Sequence, residues 1–415
     1  MNKKLSTQPY KGVRDFYPED MAIQRYIFDV WSQTAESFGF ECYDASILEP
    51  ADLYKAKGAE NEEMVNEQSY TFIDRGEREV TLRPEMTPTV ARMIAGKRQE
   101  LSFPVRWYSI PNLFRYERAQ RGRLREHWQL NCDIFGSEAL AADVEIISLA
   151  YQVFMNFGAT PDMFEIRVND RALMDRLYKA LGLTDDMILA ITRLNDRRRK
   201  ISAAEYTASL EEITNDETLA EEIIMMLDRS DEQSDVVLAL NELGIENVVF
   251  DKSLARGFDY YTGTVFEFFD TSTENKRALL GGGRYDNLTA LFGGETVSGV
   301  GFGFGDVTIR DFLETHGLLT SNITAPELVI IPMGAGLNLA AEKLAQSFRA
   351  EDISTSVDFG TRKLGKKIGI AAEALSDYVL ILGEDEIKSE KYTIKNLADG
   401  KEISGTVKQL LKKLA

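Results

Sequence analysis

The chain has 415 residues, 44% hydrophobic and 28% charged, with a formal net charge of -19. That is too long for one core, so two or three domains are expected, and too acidic for a protein that coats nucleic acid nonspecifically. No stretch reaches the apolar length of a bilayer span, the opening MNKKLSTQPYKGVRDFYPED lacks a signal-peptide core, and two cysteines (Cys42, Cys132) with two histidines (His127, His316) argue against a disulfide framework, a His-based triad or a multi-His metal site.

The cytoplasm is therefore the expected location, with no membrane partner, and the chemistry is left to Arg, acids, Tyr and backbone. Met21 to Phe38 carries apolar residues at helical spacing and ends at Gly39, a helix-stop signal. A strand from Phe40 to Leu48 is predicted next, followed by Pro50. The run Glu79-Val-Thr-Leu-Arg-Pro-Glu-Met-Thr-Pro passes from a strand into a turn fixed by Pro84 and Pro88, so that Glu85 and Thr87 are held pointing one way. A Glu in such a turn also serves as a helix N-cap partner, and the residues alone leave both readings open.

Arg106 to Gly136 is the most informative segment. Two strand-like runs flank a loop with Arg118, Arg121, Arg123 and Arg125. In the first run Leu113, Arg115 and Glu117 share a side; in the second Gln129, Asn131 and Asp133 share one side, with Trp128, Leu130 and Cys132 on the other. An Arg and a Glu so spaced serve one nucleotide well, the guanidinium holding a phosphate and the carboxylate accepting from a base amino group. An amphipathic hairpin with a solvated basic loop is the competing reading.

Residues 171–245 turn to helical segments with charged faces, such as Ala203 to Ile213 and Thr218 to Leu227, as an inserted domain does. Then comes Leu254-Ala-Arg-Gly-Phe-Asp-Tyr-Tyr; adjacent tyrosines fit a core pair, whereas a buried Arg256 needs a charged partner such as a substrate phosphate. After Gly281-Gly-Gly-Arg-Tyr-Asp, the glycines 299, 301, 303 and 305 alternate with Val300, Phe302 and Phe304, giving a strand with one bare face that a flat ring such as adenine can approach. The period of two distinguishes it from a phosphate-binding GxGxxG turn. Beyond a polar link at residues 315–325, strands at Leu328 to Ile331, Ser354 to Val357 and Tyr378 to Leu382 alternate with helices at Leu337 to Phe348 and Leu364 to Ala374, which implies a small parallel or mixed sheet. Three basic clusters are candidate RNA contacts or solvated faces: the hairpin loop, Arg197-Arg198-Arg199-Lys200, and Arg362, Lys363, Lys366 and Lys367.

FRYER…REHWQLNCDIFG resembles the second signature motif of class II aminoacyl-tRNA synthetases, and its wording is closest to the histidyl-tRNA synthetase family. The first helix, strand and Pro50 resemble the first motif, TLRPEMT the family's amino-acid loop, RGFDYY its histidine signature with Phe258 in place of Leu, and the glycine strand the third motif. The resemblance implies an α+β fold: a class II catalytic domain on an antiparallel sheet with helices (1–170 and 246–322), a helical insertion (171–245) and a C-terminal α/β anticodon-binding domain (326–415). It also implies activation of L-histidine by ATP with Mg²⁺, no tightly bound cofactor, transfer to tRNA(His), and a homodimer. By the same carry-over Arg115 and Arg256 flank the α-phosphate, Glu117 faces the adenine amino group, Gly303 and Gly305 belong to the ATP site, Glu85 and Thr87 hold the α-amino group with Tyr260 nearby, Gln129 sits beside the carboxylate, and Asp133 and Tyr261 read the imidazole. One position departs: the third motif usually ends Gly-x-x-Arg, and here Gly305 is followed by Asp-Val-Thr308, while Arg310 is turned about 200° away on a helix. Thr308 gives some weight to a non-catalytic, histidine-sensing or regulatory paralogue, which the intact RGFDYY run and the C-terminal domain oppose. A class II synthetase for another amino acid is opposed by Arg256 to Tyr261.

Overall fold

The computed structural model describes residues 5–55, 68–198, 201–229, 234–254, 260–275, 277–320 and 325–414. It forms two compact units, 1–321 and 322–415. Arg256, Arg199 and Lys200 lie outside the described residues.

The first unit is built on a nine-stranded sheet. Its order runs Glu41–Cys42, Val105–Ser109, Glu126–Phe135, Gly299–Gly305, Ala278–Arg284, Thr264–Asp270, Phe164–Asp170, Val248–Phe250, with Asn112–Phe114 paired to the start of the long strand Glu126–Phe135. Pairing is antiparallel except at the two edges. One face packs against helices Pro18–Ser37, Leu140–Asn156 and Asp306–Thr315. There Leu130, Cys132 and Ile134 of the long strand and Val300, Phe302 and Phe304 of the glycine strand enter a common core with Ile27, Trp31 and Phe154. The Phe154 ring stacks 4.5 Å from Phe164 and 5.1 Å from Phe304. Period-two patterning thus sends these apolar residues to the helices and leaves the opposite face to polar groups and glycine, with Phe135 at the strand's end packing there against Tyr285. The first helix starts on Pro18 with Glu19 and Asp20 in its first turn, and Gly39 at φ +78° closes it.

Two strand expectations need correction. Phe40 to Leu48 is not one strand: Glu41–Cys42 joins the large sheet, while Leu48–Pro50 joins a separate three-stranded sheet with Tyr70–Ile73 and Glu79–Leu82. The buried Arg83 guanidinium accounts for the break, donating to Asp44 Oδ1 at 3.0 Å and to Ala45 O at 2.8 Å and so drawing the chain out of the ladder. In the hairpin, regular strand stops at Phe114; beyond it Arg115 still pairs through its N–H with Arg125 O, but Tyr116 N–H turns to Gln68 O.

Helices fill residues 171–245 as expected. Each of the five starts on a side-chain cap, Asp170, Thr184, Ser202, Asp216 or Ser234, accepting from an N–H in the first turn. The four from Arg171 to Asp228 share their own apolar cluster around Tyr178, Ile191, Leu210 and Ile223. The fifth, Asp235–Glu242, puts Val236, Val237 and Leu240 into the main core, so the insertion's own core ends at Leu227.

The second unit has a mixed sheet ordered Thr355–Val357, Leu328–Pro332, Tyr378–Leu382, Tyr392–Asn396, Glu402–Gly405, parallel in its first three strands and antiparallel in the last two. Of its basic cluster, Lys367 is not a surface charge: it is 6% exposed and donates to Asp358 O at 3.0 Å. No described helix is long and apolar enough to cross a membrane.

Candidate active site

Strand register lays the site out in rows across the sheet. One row reads Asp133, Gly301, Gly283, Val265; the next reads Asn131, Gly303, Gly281, Glu267, Arg167. Glycines therefore occupy the middle of a floor with Gln129, Asn131 and Asp133 along one side and Glu267 along the other. Three are under side chains: a Cβ on Gly303 would lie 2.6 Å from Gln129 Nε2, one on Gly283 2.7 Å from the Tyr261 ring, and one on Gly301 would strike Asp133. At Gly305 a Cβ would meet only Thr308 Oγ1, at 3.6 Å. The bare surface is accordingly at Gly305, whereas Gly303 carries the Gln129 amide. Buried Asp306 fixes this end of the floor, accepting from Trp128 N at 3.0 Å, Gln24 Nε2 at 3.0 Å and Arg14 Nη2 at 2.7 Å.

At one end of the floor is a chain of buried polar contacts. Tyr285 Oη donates to Asp133 Oδ1, the Tyr285 and Tyr260 rings meet edge-on at 5.9 Å, and Tyr260 Oη reaches Glu85 Oε2 at 3.4 Å. Tyr261 packs 4.8 Å from Tyr260, ring to ring. Burial raises the Asp133 pKa from its ordinary 3.8 to about 7, against the Tyr285 hydrogen bond, which lowers it. Burial and the same carboxylate push the Tyr285 phenol well up. Glu85 is 4% exposed and precedes Met86, the N-cap of helix Thr87–Lys97, which makes no side-chain cap hydrogen bond. Thr87, half-buried, is the first residue of that helix.

The other end opens into a cavity of about 680 Å³ lined by Arg115, Glu117, Arg123, His127, Gln129, Glu267, Arg277, Gly281, Gly303, Gly305 and Thr308 among others. Arg115 Nε is pinned to Pro84 O at 2.8 Å, tying the hairpin to the Glu85 turn. Glu117 is buried, and its Oε2 is ion-paired with Arg123 Nε at 2.5 Å, which holds the carboxylate at the cavity wall. Burial, with Arg115, Arg14 and Arg123 close by, lowers the His127 pKa to about 3, so its ring is neutral at physiological pH. Thr308 donates to Leu279 O at 2.7 Å and Gly305 O at 3.0 Å, and Arg310 points elsewhere, to Glu314 Oε1 at 3.0 Å and Asp20 Oδ1 at 3.2 Å.

A buried carboxylic acid and glutamate joined through tyrosines, next to an arginine-lined cavity with a buried glutamate in its wall, fit an amino acid beside a nucleotide. The histidyl-tRNA synthetase family model matches residues 12–305, and an anticodon-binding-domain model matches 327–415. The chain belongs to the histidyl-tRNA synthetase family. It is 42% identical to the histidine–tRNA ligase of Leptospira biflexa over 99% of this chain and 98% of that protein. Against the histidine–tRNA ligase of Thermoplasma volcanium it is 36% identical, over 96% of each. The crystal structure of histidyl-tRNA synthetase from Nostoc sp. PCC 7120 has the same fold, with a TM-score of 0.80, covering 99% of this chain and all of that one at 23% identity. The class II synthetase architecture and the C-terminal α/β anticodon-binding domain expected from the motifs are thereby established.

Of the expected residues in this synthetase fold, Arg115, Glu117, Gln129, Gly303 and Gly305 share the cavity, and Glu85, Asp133, Tyr260 and Tyr261 share the buried cluster. Tyr285, His127, Glu267 and Arg277 had no assigned role. Tyr285 stood in the conspicuous Gly281–Asp286 run; its neighbour Arg284 is structural, donating to Asp143 Oδ1 at 3.1 Å and Ser298 Oγ at 2.6 Å. His127 shares the polar side of the long strand with Gln129, a period-two signal that was available.

Proposed function

We infer that the chain is a histidine–tRNA ligase that makes histidyl-adenylate from L-histidine and ATP and then passes the histidyl group to the 3′ end of tRNA(His). In the first step the histidine carboxylate attacks the α-phosphorus and pyrophosphate leaves; in the second, a ribose hydroxyl of the tRNA attacks the acyl carbon and AMP leaves. Neither step needs a protein nucleophile, so the side chains act by positioning and by offsetting charge. Asp133, with Tyr285 behind it and Tyr261 beside it, accepts from the imidazole. Glu85, with Thr87 and Tyr260, takes the α-amino group. Gln129 lies by the carboxylate, and Arg115 and Arg256 take the α-phosphate. Glu117 accepts from the adenine amino group, and the base lies over Gly305, with Gly303 next to it under Gln129. Mg²⁺ enters as the counter-ion of ATP.

The observation that carries this reading is the adjacency, along one strand, of the buried acid Asp133 and the cavity lined by Arg115, Glu117 and Gln129. A site that rejects other amino acids by leaving its own buried polar groups unpaired discriminates strongly, and Asp133 with Tyr285 is such a site. We place the enzyme in the cytoplasm as a homodimer. Support for the dimer comes from the three-stranded sheet, where Leu48, Pro50, Val80 and Phe72 share a face by register and Leu48 and Phe72 are each 47% exposed. The test is charging of tRNA with labelled histidine. Acid-stable label on tRNA is the expected result; histidine binding without charging would favour a sensor or regulatory role instead.

A further inference from the structure

The cavity contains a cation that the family's motifs do not supply. Arg277 stands just before strand Ala278–Arg284 and lines the cavity together with the strand's first residues, Ala278 to Gly281. Position 308, where class II motifs place an arginine, faces the same space. A Cβ built on Gly122 would lie 3.5 Å from Arg277 Cδ and 3.8 Å from Thr308 Cγ2, so the two side chains meet at one point beneath the hairpin turn. Thr308 cannot reach further, since its hydroxyl is held by Leu279 O and Gly305 O. Among the described residues, the cavity's other guanidinium groups have protein partners, Arg115 through Pro84 O and Arg123 through Glu117. Arg277 makes no hydrogen bond or ion pair among the described residues.

We propose that Arg277 supplies the nucleotide-binding cation that position 308 lacks, its guanidinium taking the triphosphate of ATP; this deepens the reading of the chain as an ATP-dependent ligase and rests on it. Arg115, Arg123 and Arg277 around one cavity suit a polyanion, because Glu117 offsets one positive charge and leaves an excess for a ligand of opposite sign. Partial burial and the nearby Arg123 lower the Arg277 pKa, and the Glu117 carboxylate opposes them in part. The strand thus takes over a contact usually made from the following helix, and Arg310, paired on the outer side of that helix, takes no part.

The test compares wild type, Arg277→Ala, Arg310→Ala and the double variant Arg277→Ala with Thr308→Arg. Direct binding of ATP and of AMP is measured beside histidine-dependent pyrophosphate exchange. Arg277→Ala is expected to weaken ATP binding and raise its KM about 10- to 100-fold, the worth of one or two charge-assisted hydrogen bonds, with AMP binding and the KM for histidine within about twofold. Arg310→Ala leaves ATP use unchanged, and Thr308→Arg in the double variant recovers most of the loss. Unchanged ATP binding in Arg277→Ala, an equal loss for AMP, a defect confined to transfer onto tRNA, or a double variant no better than Arg277→Ala would each overturn the proposal. Absence of exchange by wild type with any amino acid would reject the ligase reading instead, while the ATP and AMP binding data still decide the role of Arg277.

Discussion

Burial holds the Asp133 carboxyl at about 7 in the folded chain, against an ordinary 3.8. The folded state therefore keeps a proton that the unfolded state gives up, and stability falls as pH rises from about 4 to about 7, then levels. Asp133→Asn removes this dependence. Its unfolding free energy relative to wild type, measured without ligand by chemical denaturation, should rise across that window by up to about 1.4 kcal/mol per pH unit and stay constant above it. Asp133→Ala should weaken histidine binding far more than ATP binding, and equal losses in calorimetry would contradict its assignment to the imidazole. Arg256→Ala should abolish adenylate formation with circular dichroism unchanged; pyrophosphate exchange at the wild-type rate would remove Arg256 from the mechanism. At this scale the sequence was most readable where neighbours in the chain set a side chain's direction. Gln129, Asn131 and Asp133 do share a face. Tyr285 carried no signal because what ties it to the cluster is Asp133, a partner 152 positions away, and Lys367 looked like surface charge because its partner Asp358 sits nine positions earlier across a turn.

Among the elements, the glycine strands make the sharpest contrast. A Cβ at Gly303 meets the far end of the Gln129 side chain, which can swing aside, whereas one at Gly282 runs into Gly301 O, Phe266 and the Phe302 Cβ, 2.7 Å away. Gly303→Ala should accordingly cost less than about 1 kcal/mol of stability but lower the rate of exchange by moving Gln129, while Gly282→Ala overpacks the sheet and should cost on the order of 1–3 kcal/mol. Chemical denaturation of both variants, with exchange rates for the first, checks the pair. The alternation of glycine with Val300, Phe302 and Phe304 announced this strand plainly. What it did not announce was which side chains roof the bare face, because that depends on register with strands far apart in sequence, as in Gly301 opposite Asp133. The break after Cys42 was equally hidden: an extended pattern continues to Leu48, and only the buried Arg83 shows why the chain leaves the sheet.

For the whole molecule, two compact units with separate apolar cores imply separable roles. A chain ending at Ser321 should keep histidine-dependent exchange within a few-fold of the full chain and lose most tRNA charging, since the C-terminal unit belongs to an anticodon-binding family. Domain order was legible from the change in periodicity along the chain, from strand-rich to helical, back to strand-rich, then alternating. The inner edge of the insertion was not, because helix Asp235–Glu242 reads like its predecessors and only its packing assigns it to the main core. We infer that one continuous site joins histidine to ATP. Its most direct measurement is exchange of labelled pyrophosphate into ATP, without tRNA, across a panel of amino acids. Strong exchange with histidine and none with the others is predicted; measurable histidine binding with no exchange for any amino acid would contradict the account.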